Sequence, residues 1–370
     1  MQSIVFYISS HGFGHSTRAM EVIAHLPGHI SVSIVTAAPE WLFRHYLTRP
    51  FQYRKLDHDC GVVQPDSLGI DAGATYARWE ALLESYPQMA QNELAFLEEQ
   101  NACLIVGDIS PFAVAVAQAA DLPCTIIANF CWNWIFEGYQ DEVPGFRRII
   151  ETISDYYGKT DCLLRTPLSG DLSVFPRILD IPMIVRTAKK SRQDMRQEWG
   201  VSDEQPVALL SFGGLGVNGV KPEALSRYPH WKFLTFDAIF KGIANVVYLD
   251  PQSIYHPDLV NAADLVIAKL GYGLNTECIA HQTPMAYVPR HGFREYGVLE
   301  QQTSLQLPML KIETDLFFQG NWDAIDDFIA ACSMRNSFSG SLLACNGGEI
   351  ASQWMSEQIA EVSGRAVQSA

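Results

Sequence analysis

The sequence predicts an α/β protein of two units, each a parallel sheet covered by helices on both faces, with one cleft between them. Three observations predict it. Short apolar strands alternate with helix-length segments in the first half, and the alternation restarts after residue 200. The strands are near-continuous apolar runs, as expected of sheets buried on both sides. The glycines and polar residues that stand out fall directly after strands, where open α/β sheets bind ligands.

Taken in order, SIVFYIS (3–9) is the first strand, followed by a helix from about His15 with Val22, Ile23 and Leu26 on one face. HISVSIVTAA is the second strand. NACLIVGD and PCTIIANF are further strands separated by the alanine-rich helix FAVAVAQAA, and DCLLRT closes the set before a proline-spotted stretch near 181–185. Residues 1–185 form the first unit. Residues 186–200, RTAKKSRQDMRQEWG, are the most cationic segment and read as a linker followed by a solvated helix. The second unit, 201–348, contains PVALLSFGG, KFLTFD, NVVYL, ADLVIAKLG and PMAYVPR. A last helical pattern, EIASQWMSEQIAEV within 349–370, is able to return to either unit.

Length and composition agree with this reading. A chain of 370 residues fits two domains of ordinary size, and 48% hydrophobic with 18% charged residues suits large buried sheets. The net charge of −15, from 41 acidic and 26 basic residues, excludes a broad nucleic-acid surface but not a small anionic ligand. The eight cysteines show no C-x-x-C spacing and no zinc pattern, so they are expected to be reduced thiols in a cytoplasmic protein. Strand-like residues begin by Ser3, so no signal peptide is expected, and no apolar run reaches membrane-spanning length.

The stretch AKLGYGLNTECIAHQTPMAYVPRHGFREYG (268–297) carries the most chemistry. Its turn at Gly271 and Gly273 lets backbone approach a ligand closely, and the helix that follows presents free N–H groups and a positive dipole end to a phosphate. Glu277, one turn in, is placed to accept hydrogen bonds from a ribose diol; equally, it is an ordinary acidic residue near a helix start. SFGGLG (211–216) supplies Gly213 and Gly214 as a second glycine-rich turn, without the lysine of a P-loop.

At the other end, ISSHGFGHSTRA (8–19) places Gly12 and Gly14 in a turn and His15 where the helix opens, with His11 one turn earlier. A neutral imidazole there suits a general base, provided that a carboxylate fixes its tautomer. Asp108, at the end of a neighbouring strand, is that carboxylate. Sequence alone leaves open whether His11 or His15 faces the cleft. CWNWIFEGY (131–139) is an aromatic cluster that fits either an acceptor pocket or the core. Asp57-His58-Asp59 has the form of a metal-binding triplet, but three residues recur by accident and no metal is expected.

With these residues in hand, the chain resembles GT-B glycosyltransferases, two Rossmann-like domains facing each other across a cleft. It most resembles the glycosyltransferase-like N-terminal region of plant-type arabinokinases, through HGFGHSTRAMEVIAHL, DCGVVQPDSLGID, GDISPFAVAVAQAADLPCTIIANFCWNWIF, IPMIVRTAKKSRQDMR, LSFGG, KLGYGLNTECIAHQTP and NGGE. No small-molecule-kinase glycine and serine loop is present, so arabinose kinase activity is not implied. HGFGH is more distantly similar to the first loop of the peptidoglycan N-acetylglucosamine transferase and the UDP-glycosyltransferases. That resemblance puts the base histidine on His15 and its carboxylate partner on Asp108.

Laid on the plant UDP-sugar box without gaps, the chain has Lys269 for the histidine, Gly271 for the glycine, Tyr272 for the tryptophan and Glu277 for the ribose-binding glutamate. Gly273 and Leu274 replace the phosphate-binding asparagine and serine, so backbone N–H groups, Lys269 and Asn275 or Thr276 would take over. Arg294-Glu295 stands near the family's sugar-binding Asp-Gln pair. The E-x7-E pattern of many retaining enzymes is absent: Met285 follows Glu277 by eight residues, and Thr303 follows Glu295.

The resemblance therefore implies an inverting, metal-independent hexosyl- or pentosyltransferase that uses a nucleotide-diphosphate sugar, with UDP the expected nucleotide. It takes no bound cofactor and acts on a soluble small-molecule acceptor such as a specialised metabolite. The acceptor would lie near His11, Asn129, Trp132 and Trp134. Two other readings fit the same motifs: a nucleotide-sugar-binding regulatory module without transfer activity, and a nucleotide-sugar epimerase.

Overall fold

A computed structural model describes residues 2–65, 69–213, 219–290, 292–334 and 343–368. The first sheet contains β1 (Ser3–Ile8), β2 (Ser31–Thr36), β3 (Gln52–Lys55), β4 (Ala102–Asp108), β5 (Cys124–Ala128), β6 (Cys162–Arg165) and β7 (Ile178–Asp180). All pair in parallel, in the order β3-β2-β1-β4-β5-β6-β7. The second sheet contains β8 (Val207–Ser211), β9 (Lys232–Thr235), β10 (Val246–Tyr248), β11 (Leu265–Ala268), β12 (Met285–Tyr287) and β13 (Met309–Lys311). It is also parallel, ordered β10-β9-β8-β11-β12-β13.

Both orders reverse direction at one point, between β1 and β4 and between β8 and β11, and such a reversal opens a crevice at the carboxyl ends of the strands. Register fixes what meets there. Ile8 pairs with Asp108, and Ser211 with Ala268, so the loops after these strands are neighbours.

Helices on the first sheet are α1 (Phe13–His25), α2 (Glu40–Tyr46), α3 (Ala72–Glu99), α4 (Pro111–Ala120), α5 (Trp132–Phe136) and α6 (Phe146–Tyr157). The second sheet carries α7 (Arg192–Glu198), α8 (His256–Ala262), α9 (Tyr272–His281), α10 (Glu295–Ser304), α11 (Thr314–Phe318) and α12 (Ala324–Met334). β1 is buried along its whole length, as a strand covered on both faces must be. The 28-residue α3 runs through Pro87 and opens with Asp71 accepting from the Ala74 N–H.

The last helix, α13 (Gly347–Gln368), packs Ala351, Met355 and Ile359 into the core against α1 and β4 of the first unit. The chain thus passes between the two units twice. The two passages pair with each other: Ile184 bridges Asn346 antiparallel, the Met183 N–H donates to Ala344 O at 2.9 Å, and the Gly347 N–H donates to Met183 O at 3.0 Å. A Cβ on Gly347 would collide with the Pro182 and Met183 backbone.

Most of the cationic segment 186–200 is exposed, as a solvated face is, but two of its arginines are buried. Arg196 is buried and donates to Asp264 and to the carbonyls of Ser202 and Gln205. Arg186 is buried between the Tyr46 and Tyr255 rings, at 5.0 and 5.6 Å. A guanidinium spreads its charge over a flat face that stacks on aromatics, which makes it the basic group best suited to burial.

Candidate active site

The site is built where β1 and β4 end. After Ile8 the chain turns through Gly12, whose φ of 80° favours glycine, and enters α1 with Gly12 and Gly14 exposed. His15 and Arg18, one turn apart on α1, face inward and are buried. Asp108 closes β4 and is fully buried. Directly after it, Ile109 adopts φ 61°, an outlying conformation for a β-branched residue, and bends the chain away into α4.

His15 Nδ1 lies 2.8 Å from Asp108 Oδ1. Arg18 grips the same carboxylate with both arms of its fork, Nε to Oδ2 at 2.8 Å and Nη2 to Oδ1 at 2.7 Å. Burial raises the Asp108 carboxyl, but the Arg18 charge and the hydrogen bonds from Arg18 and His15 overcome it, leaving Asp108 below the usual carboxylate range. Against an ionised Asp108, the His15 tautomer with its proton on Nδ1 donates to Oδ1 and leaves Nε2 as the nitrogen with a lone pair. Among the described residues, no hydrogen bond reaches that Nε2.

The network continues across the cleft. Arg18 Nη1 donates to Asn129 Oδ1 at 2.7 Å, which turns the amide nitrogen toward Glu295 Oε1 at 2.6 Å. Glu295 comes from the second unit, is buried, and is raised above its ordinary value chiefly by that burial. Arg294 donates to the Trp134 carbonyl at 2.9 Å, pairs with Glu137 and lies over the Trp134 ring at 4.9 Å. Tyr272 covers the Arg18 guanidinium at 5.1 Å. A Cβ on Gly273 would stand 3.6 Å from the Gly14 Cα, so the N-termini of α1 and α9 abut.

On the donor side, Gly213 is exposed at φ 77°, and a Cβ there would stand 4.0 Å from Lys269 Cε. Gly214 lies outside the described residues. Gly271 caps α9, and its N–H donates to Asn275 Oδ1 at 3.0 Å. Asn275 also donates to Thr303, and Thr276 donates to Gly273 O at 2.9 Å. Both side chains are buried and hold the turn together, and the backbone N–H groups opening α9 stand beside them.

Glu277 is likewise engaged. Arg186 donates to its Oε1 at 2.6 and 3.1 Å, and His256 Nδ1 to its Oε2 at 2.7 Å. Burial raises Glu277, but Arg186 and His256 hold it down at about 2. His256 Nε2 in turn meets Ser211 Oγ at 3.1 Å. A ribose diol at Glu277 has to share oxygens already bonded.

On the acceptor side, Trp132 is fully buried with Nε1 donating to Asp59 Oδ2 at 2.8 Å, and Trp134 is sealed beneath Arg294 and Gly170. Both belong to the core as they stand: Trp132 stacks on Phe136, and Trp134 lies between the Arg294 guanidinium and the Gly170 backbone. His11 sits edge-on to Trp132 at 5.5 Å and against Phe293 at 6.0 Å. Burial and the nearby His15, Arg290 and Lys269 hold His11 well below its ordinary value, so it is neutral. Asp108 contacts His15, not His11.

The Asp57-His58-Asp59 side chains diverge: Asp57 faces Arg78, His58 bonds Ser110 and Val35 O, and Asp59 bonds Trp132 and the Gly61 N–H. Burial raises Asp59 to about 6 and lowers His58 to about 4.

Sequence reasoning missed Arg18, Arg186 and His256. Arg18 stood in the quoted turn, and its spacing of three from His15 on one helix face was the available signal.

No family model matches the chain. It is 30% identical over 365 residues to an L-arabinokinase of Arabidopsis thaliana, covering 95% of this chain and 34% of that protein. The chain thus spans about a third of the length of the relative it matches. Among solved structures, it is similar to a UGT transferase from Siraitia grosvenorii in complex with UDP, at 13% identity and TM-score 0.57, covering 98% of this chain and 100% of that one. It is similar to MurG of Acinetobacter baumannii at 12% identity and TM-score 0.54, covering 96% and 99%. It is also similar to the glycosyltransferase SnogD from Streptomyces nogalater, at 14% identity and TM-score 0.56 over the whole of both chains. The two parallel sheets and these full-length matches give the chain the GT-B glycosyltransferase fold.

Proposed function

We propose that this GT-B chain is an inverting transferase that moves a sugar from a nucleotide diphosphate, with UDP the leading nucleotide, to a hydroxyl of a small soluble acceptor. The observation that carries the proposal is the 2.8 Å contact of His15 Nδ1 with the buried Asp108, which leaves Nε2 as a base. The acceptor oxygen attacks the anomeric carbon from the face opposite the diphosphate. Its proton passes to His15 Nε2, and Asp108 steadies the imidazolium that forms. The bond to the diphosphate oxygen breaks as the new glycosidic bond forms. Charge on the leaving phosphate falls to Lys269, to Gly213 and to the N–H groups opening α9, without a metal.

The UDP seen with a neighbour of the same fold supports the nucleotide. Among the described residues, no helix is long and apolar enough to cross a membrane, and a soluble acceptor met in the cytoplasm is part of the proposal. A second reading, a nucleotide-sugar-binding module without transfer, draws support from Glu277 and Glu295, whose carboxylates already have protein partners.

The test is a thermal-shift panel of nucleotides and nucleotide sugars, followed by labelled transfer and donor hydrolysis in wild type, His15→Ala and Glu277→Ala. A ligand at a hundred times its Kd stabilises the fold by about 2.7 kcal/mol. The transferase reading expects one nucleotide sugar to stabilise the chain and turnover to vanish in His15→Ala with binding kept. Binding without turnover in wild type supports the module. No stabilisation by any nucleotide at millimolar concentration overturns both.

A further inference from the structure

Arg18 belongs to no part of the transferase reading, yet it makes more contacts to the dyad than any other side chain. It is buried and donates to Asp108 through Nε and Nη2 and to Asn129 through Nη1, and its face is covered by Tyr272. Its Nη2 also comes within 3.3 Å of His15 Nδ1. Two donors cannot hydrogen-bond each other, so with Nδ1–H directed to Asp108 this approach sets a guanidinium directly against the imidazole ring.

A buried carboxylate beside a histidine ordinarily favours the imidazolium, because the resting dyad then becomes an ion pair. Here the negative charge of Asp108 is already matched by Arg18. Protonating His15 would put two cations on one anion, so Arg18 opposes the pull of Asp108 toward the imidazolium. Around the dyad, His11 is held neutral by burial, while burial raises Asp59 to about 6, which leaves it ionised at pH 7, and raises Glu295 above its ordinary value.

We propose that Arg18 is a positioning residue: it divides the Asp108 carboxylate with His15, so that the imidazole is held with Nδ1–H toward Asp108 and Nε2 open, and it orients the Asn129 amide toward Glu295 of the opposite domain. The proposal deepens the transferase reading by naming what keeps its base ready, and its test reads His15 directly, so either can fail alone.

The experiment is a pH titration of the His15 imidazole by ¹⁵N-resolved NMR on the full chain, with the resonance assigned by its loss in His15→Gln. Wild-type His15, once unprotonated, is expected in the Nδ1–H tautomer. Arg18→Met is expected to move its protonation midpoint upward by about one pH unit or more relative to wild type, the ordinary effect of an unshared neighbouring carboxylate. Arg18→Lys, which keeps the charge, is expected to move it less. Where transfer is measurable, the acid limb of kcat/KM follows the same order. An Nε2–H tautomer in wild type overturns the proposal even if Arg18→Met fails to fold. An unchanged midpoint in folded Arg18→Met overturns it as well. An Nδ1–H His15 without any turnover refutes the transferase and leaves the role of Arg18 standing.

Discussion

Replacing Asp108 with asparagine separates stability from chemistry at this site. The change keeps the shape of the side chain and removes the charge that holds Arg18, whose guanidinium is buried with Asp108 on two of its three nitrogens. Breaking a buried, hydrogen-bonded pair by neutralising one partner costs about 3–5 kcal/mol, because the other charge stays behind. At roughly 2–4 °C per kcal/mol for a domain of this size, melting should fall by roughly 6–20 °C. His15→Gln leaves the Asp108–Arg18 pair intact and should cost about 1 kcal/mol, while both variants should lose about 10²–10⁴-fold in turnover.

The pH dependence carries a sign. Asp108 is depressed in the folded state, so the stability it supplies is complete above the unfolded carboxylate value, near 3.9, and is lost as pH falls through the lower folded value. Differential scanning fluorimetry of wild type and Asp108→Asn from pH 7 to pH 3 should therefore show curves that converge on acidification. A melting change within about 1 °C at pH 7, or curves that stay parallel to pH 3, would refute the claim that Asp108 is an ionised partner of Arg18.

Three further changes probe the rest of the network. Glu277→Gln leaves Arg186 buried without its anion; it should destabilise the second domain by about 3–5 kcal/mol and flatten the stability loss expected between about 4.5 and 2 in wild type, measured by urea unfolding against pH. Asn129→Asp sets a carboxylate against Glu295 in place of the 2.6 Å amide contact; small-angle scattering should show a larger radius of gyration than wild type at pH 8, and recovery toward pH 5 as one proton is shared. Gly347→Ala should cost about 1–3 kcal/mol in thermal melting, since its methyl meets backbone rather than a side chain able to move aside.

The fold was legible because buried parallel strands are apolar without interruption, and loops after them carry the residues that do not pack. That rule brought Asp108 and the His11–His15 turn forward, and the resemblance singled out His15, which the structure sets beside Asp108. Arg18 was not brought forward, because an arginine on an amphipathic helix ordinarily points to water; its burial depends on Asn129, 111 residues away, and on Tyr272 of the other domain. Asn275 and Thr276 sit where helix openings attract both ligands and self-capping, and only geometry shows that their side chains also fold back on the turn. Trp132 and Trp134 presented the same ambiguity, since an aromatic run serves a core or a pocket equally. Residues 72–99 received no assignment, and Pro87, a residue that ordinarily interrupts a helix, stands in the middle of α3.

The paired passages at Ile184 and Asn346 have a mechanical consequence. A single linker lets one domain swing, twist and slide over the other. Two linkers joined by hydrogen bonds form a narrow ribbon that is stiff in its own plane and compliant mainly about its long axis. Such a ribbon restricts sliding and twisting of one domain over the other, which keeps Glu295 aligned with Asn129 and Tyr272 with Arg18. A site assembled from both domains can in this way be taken apart and rebuilt repeatedly without a search for register.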